Sequence, residues 1–205
     1  PGFTARMWRP RLLTFAAVAS LVAERAGKSG TGPQDNELAA RLGFERLFVS
    51  AIVRQEMKEK MSGPDRRRRR IWGLPGSLLA RRALRSGDTP LGRNNFLKGQ
   101  AINGAFGVMA RLARHLRIVD EDDRLAPNGE ELLLAWSADM ELSGFLDEEN
   151  SNSPGRKWLD QFVKETEDHV QDNWWRSARW SGWAELANYL RPDRIGRRER
   201  RVLRR

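Results

Sequence analysis

GQAINGAFGVMARLARHLRIV (residues 99–119), followed by DEDDRLAPNGEELLLAW (residues 120–136), carries the pattern that decides the fold. In the first part Ile102, Phe106, Met109, Ala113 and Leu116 recur at helical spacing, which predicts a helix with all five on one face. The helix runs into a short apolar strand, Arg117-Ile118-Val119, then an acidic tip from Asp120 to Asp123 and a second strand stub, Arg124-Leu125. Another helix opens at Pro127 and carries Leu132, Leu133, Trp136 and Met140. One alternating segment among many helical ones predicts a mainly α fold, a helical bundle with one short β-hairpin at 117–126 and helix over about two-thirds of the residues.

Working outward, the first helix is expected from about Arg11 to Arg25. Leu12, Leu13, Phe15, Val18, Leu21 and Val22 make it apolar nearly all round, which places it centrally in the core. A second helix is expected from Asp35, as N-cap, to about Lys60, burying Leu38, Leu42, Leu47, Phe48, Ile52 and Val53. Ser62 to Asp65 stops it, and Arg66 to Arg70 form an exposed link. Short helices are expected at Leu78–Arg85 and, after Pro90, at Leu91–Leu97. Beyond an Asp/Glu/Asn/Ser-rich loop at 147–155, Ser153-Pro154 starts a long helix burying Trp158, Leu159, Phe162, Val163, Thr166 and Val170. A last helix, Ser181–Leu190, buries Trp183, Leu186, Ala187 and Leu190. The organisation expected is an N-terminal helical segment (1–65), a basic linker and short helix (66–87), a central module (88–146), a helical pair (147–191) and a basic tail (192–205).

Helix, two-stranded wing and helix resembles the C-terminal half of a winged-helix module, over about residues 88–136. The resemblance implies nucleic-acid recognition or subunit docking, with the helix before the wing in the major groove and the wing along phosphates. Arg111, Arg114, His115 and Arg117 share the polar side of that helix with Gln100 and Asn103. The four carboxylates at the tip run against a phosphate contact, because like charge weakens binding to a polyanion. The next helix has Ala126 at its N-cap, where the related pattern offers Thr or Ser.

Composition narrows the classes. At 205 residues the chain is long enough to bury a real core. No run of 18 uncharged apolar residues exists, so no membrane span is expected, and the apolar Leu12–Ala23 stretch lacks a cleavage-like site after it. The absence of cysteine removes disulfides, thiolate metal sites and cysteine nucleophiles, and is compatible with a reducing cytoplasm. The chain opens on Pro1, as expected of a processed chain or a piece of a longer one. Arginine outnumbers lysine 31 to 6 and alanine is abundant, a composition expected of a high-GC bacterial source.

Charge is unevenly spread. Between Asp120 and Asp172 there are 16 acidic residues against 4 basic ones, yet the whole chain carries +10. The rest is therefore strongly basic, a pattern of one surface for a polyanion beside another for a different partner. The candidate nucleic-acid contacts are Arg66, Arg67, Arg68, Arg69, Arg70, Arg81, Arg82, Arg111, Arg114, Trp175, Arg176, Arg179, Arg197 and Arg198. Trp174, Trp175, Trp180 and Trp183 alternate with arginines, and indole faces can stack on unpaired bases. The helical spacing of Trp180, Trp183, Ala187 and Leu190 favours a core role for that pair, leaving Trp175 as the stacking candidate.

Catalytic patterns are weak. Lys28-Ser29 after Gly27 lacks the upstream glycine of a phosphate-binding loop, that position being Val22. No G-x-S-x-G elbow occurs, and His115 and His169 fall on different helices. Glu165, Asp168, His169 and Asp172 have spacings at which oxygen and nitrogen ligands could hold a divalent ion, but also those of a solvated acidic face. Asp120 to Asp123 lack the glycine and distal glutamate of a calcium loop. No cofactor is expected. The favoured expectation is a non-catalytic nucleic-acid-binding module, for DNA before RNA, in a bacterial multi-protein system such as antiviral defence or mobile-element biology. The alternative is a docking subunit that presents its acidic 120–172 surface to a protein partner, and a metal-dependent nuclease using Glu165, Asp168 and Asp172 ranks third.

Overall fold

The computed structural model describes residues 9–28, 33–61, 73–87, 90–92, 95–170 and 176–204. Among them the chain is mainly helical, with helix over about two-thirds. The helices are α1 (Arg11–Gly27), α2 (Pro33–Met61), α3 (Ser77–Arg85), α4 (Gln100–Asn103), α5 (Ala105–His115), α6 (Pro127–Asp139), α7 (Pro154–Val170), α8 (Gly182–Leu190) and α9 (Arg197–Val202). α1 is the axis, as its all-round apolar sequence requires, and packs against α2, α5, α6, α7 and α8. Its many alanines, with Ala16, Ala17 and Ala19 fully buried, let neighbouring helices approach closely. Phe15 stacks on Phe48 at 4.2 Å between centroids. A second aromatic group joins α6, α7 and α8: Trp136 meets Phe145 edge-on at 5.0 Å, and its indole N–H donates to the Tyr189 carbonyl at 2.8 Å. That bond satisfies the one polar atom of a completely buried side chain. At the start of α7, Ser153 Oγ accepts the Arg156 amide as a helix cap.

The decisive stretch folds differently from its periodicity in two places. The predicted continuous helix is broken at Gly104, whose extended backbone (ψ 175°) separates α4 from α5. Phe106, Met109 and Ala113 are buried as expected, but Ile102 is 75% and Leu116 39% exposed. The cause of the break is Glu45, fully buried in α2, whose carboxylate accepts the Ala105 and Phe106 amides at 2.9 and 3.2 Å. It therefore caps α5 from a helix 60 residues away in sequence. A Cβ on residue 104 would overlap that carboxylate, so only glycine admits it. Burial pushes the Glu45 carboxyl up to about 7, against the pull of the two amides.

The expected strand pair shrinks to one antiparallel bridge, Val119 with Leu125. Arg117 is the left-handed residue (φ 52°) ending α5: its amide donates to Arg114 O at 2.9 Å and the Ile118 amide to Ala113 O at 2.8 Å. This is a Schellman ending with a buried Ile118 after it. α6 closes in the same manner, with Glu141 left-handed and the Leu142 amide donating to Ser137 O at 2.8 Å.

The expected helix at 91–97 does not form over its described residues. Asn95 Oδ1 accepts the Gly92 amide at 2.7 Å and its Nδ2 donates to Pro90 O at 2.8 Å, a local alternative to helical bonding. Leu38, expected inside, is 42% exposed. The tail beyond 192, for which no fold was expected, contains α9.

Candidate nucleic-acid interface

Among the described residues several arginines are engaged with carboxylates. Arg81 of α3 pairs with Glu56 of α2, and Arg191 with Glu59 and Asp193. Arg176 reaches both Glu165 (2.9 Å) and Asp168 (3.3 Å). Arg114 and Arg41 converge on Asp123, at 2.5 and 2.6 Å, and the Arg41 guanidinium also lies 4.6 Å from the Phe106 ring centroid. Of the candidate contacts, Arg81, Arg114 and Arg176 thus serve internal ion pairs. Arg82, Arg111, Arg179, Arg197 and Arg198 are exposed. Arg66 to Arg70 and Trp175 lie outside the described residues, as do Trp174 and Asp172. Trp183 is buried with its N–H donated to Ser177 O at 3.0 Å, and Trp180 packs edge-on to it at 4.9 Å, so this pair belongs to the core.

The acidic tip is partly structural. Asp120 Oδ1 accepts the amides of Asp122 and Arg124 at 3.0 and 2.9 Å, which builds the turn. Asp123 is held by Arg41 and Arg114, and Arg124 reaches back to Glu37 of α2 at 3.1 Å. The tip is clamped to α2, leaving Glu121 and Asp122 facing solvent. The residues considered as metal ligands are divided as well: Arg176 occupies Glu165 and Asp168, while His169 is buried with Nε2 3.1 Å from Leu91 O and Nδ1 3.4 Å from Arg46 Nη2. Among the described residues no three such ligands gather, and no helix is long and apolar enough to cross a membrane.

Among the described residues the sharpest basic feature is α9. Arg197, Arg200 and Arg201 are exposed at i, i+3 and i+4 on one face of the helix, with Arg198 beside them, Arg194 just before and exposed Arg204 in the turn that follows. Glu199 lies opposite and is completely buried: its carboxylate accepts from Arg11 and Thr14 of α1 and from the Gly196 amide at 3.0 Å. Burial raises the Glu199 carboxyl above its ordinary range, against the pull of Arg11. The neighbouring acid Asp139 accepts the Arg198 and Glu199 amides at 2.8 and 3.0 Å. Glu199 and Asp139 are thus engaged, the Arg200 guanidinium donates to the Ile195 carbonyl at 3.4 Å, and the arginine face is exposed. Arg200, Arg201 and Arg204 do not stand out in the sequence, although Glu199 three residues after Gly196, followed by Val202-Leu203, is a readable helix start with an inward side.

No protein-family model matches the chain, and neither curated proteins nor solved structures give a match.

Proposed function

We propose that the protein is a non-catalytic nucleic-acid-binding module that meets phosphates with the arginine face of α9. The observation that carries this reading is the segregation at α9: its carboxylate faces inward to Arg11, while Arg197, Arg200 and Arg201 of the helix and Arg204 in the turn after it are exposed. Guanidinium groups suit phosphate oxygens because their planar donors engage two oxygens at once. Exposed Arg111 and His115 on α5, the helix before the acidic turn, fit the winged-helix resemblance as a second contact, with Arg66 to Arg70 as a further basic segment. Duplex DNA is the first substrate to test, since a row of phosphate contacts demands no unpaired base.

The test is titration of a labelled DNA duplex across a salt series with the wild type and with Arg197, Arg200, Arg201 and Arg204 all changed to Ser. Weaker binding is expected, with the slope of log affinity against log salt reduced by about 0.9 for each phosphate that the variant no longer neutralises. Unchanged affinity and slope would overturn the proposal in favour of a protein-docking role for the acidic 120–172 surface.

A further inference from the structure

We infer that Asp139, at the end of α6, is a positioning residue that holds the α9 arginines in their phosphate-facing arrangement; this rests on the function proposed above. α9 has six residues, far below the length at which an isolated helix persists in water. Its first-turn amides need acceptors, normally supplied by a Ser, Thr, Asp or Asn side chain at the N-cap. That position is Gly196, which has no side chain. Asp139 supplies the missing acceptor from a helix 59 residues earlier, one oxygen receiving both the Arg198 and Glu199 amides. A Cβ at residue 196 would overlap the Asp139 carboxylate, so the glycine is what allows the approach. The inward anchor is Glu199, and the two acids together set both the start of the helix and its rotation. Arginines held this way meet a phosphate row without first being ordered, which removes a cost that a frayed tail would carry.

Asp139 is itself negative and close to the arginine face, so charge alone and positioning predict opposite results. If Asp139 only adds negative potential, Asp139→Ala strengthens binding to a DNA duplex. If it positions α9, Asp139→Ala weakens binding by about threefold to tenfold, because the docked helix is less populated. Asp139→Asn removes the charge but keeps an acceptor oxygen, and is expected to bind at least as tightly as wild type. Gly196→Ala leaves every charge in place, displaces the carboxylate, and is expected to weaken binding like Asp139→Ala. Melting temperature and tryptophan fluorescence are recorded for each variant, and Gly196→Ala serves if Asp139→Ala fails to fold. Equal or tighter binding by the folded Asp139→Ala variant, or by Gly196→Ala where that one is needed, overturns the inference. The four-arginine variant separates the two claims: if it binds like wild type the functional reading fails, whereas if it alone weakens binding only the role of Asp139 fails.

Discussion

Replacing Glu45 by glutamine perturbs the junction between α4 and α5 without changing its size. In the folded chain the carboxyl keeps its proton up to about pH 7, whereas in the unfolded chain it releases it near 4.5. Between these values the folded state binds the extra proton, so Glu45's contribution to stability is full below about 4.5 and is lost as pH rises through about 7. At 1.36 kcal/mol for each pH unit, the interval corresponds to about 3 kcal/mol. For a chain of this size that is about 6–12 °C in melting temperature. Glutamine places an NH2, which cannot accept, where one of the two carboxyl oxygens receives the Ala105 or Phe106 amide, so Glu45→Gln carries a penalty of about 1 kcal/mol. Urea unfolding of both proteins from pH 4 to pH 8 isolates the effect, because every other carboxylate cancels in the difference. The expected result is a gap that moves in favour of the variant by about 3 kcal/mol between pH 4.5 and 7.5 and is flat outside that window. A gap constant over the whole range would refute the argument that burial controls this carboxyl.

Trp136→Ala is expected to cost about 3–5 kcal/mol in urea unfolding, since the indole is fully enclosed and its N–H is bonded; a loss below 1 kcal/mol would show that the aromatic group repacks. Leu116→Ala, at a helix end and partly exposed, is expected to cost under about 1 kcal/mol, and a loss as large as that of Trp136→Ala would contradict its placement. Asp123→Ala leaves Arg41, whose guanidinium burial already disfavours its charge, without its carboxylate, and is expected to cost about 1–3 kcal/mol. An unchanged unfolding midpoint for Asp123→Ala would mean that the clamp on the acidic tip contributes nothing.

The helices legible in the sequence are those whose burial is decided locally. α1 is apolar on every side, and Trp158, Leu159, Phe162 and Thr166 mark one face of α7, so periodicity alone places both. What was not legible depends on partners distant along the chain. Asn103-Gly104 is a local turn signal, but the acceptor that makes the break is Glu45, 60 residues away from the amide it receives. The arginines look alike in the sequence, yet in the fold Arg81, Arg114 and Arg176 meet carboxylates, while Arg82, Arg111 and Arg179 are exposed. The acidic tip illustrates the same limit: charge count marks four like residues, and three-dimensional contacts divide them into turn builders and solvent-facing groups. α9 was the exception, since its start signal was present locally but hidden within a run of arginines.

The bond between Arg11 and Glu199 spans 188 residues and so orders events in time as well as space. At a synthesis rate of 5–20 residues per second, about 10–40 s separate the appearance of the arginine from that of its carboxylate partner. Until Glu199 appears, the guanidinium at the beginning of the central helix lacks the carboxylate it bonds to, and sealing it under neighbouring helices is unfavourable. The start of α1 is therefore expected to stay hydrated during synthesis while helices formed later assemble around the rest of it. Closure of the core at that end is expected to wait for α9 to arrive.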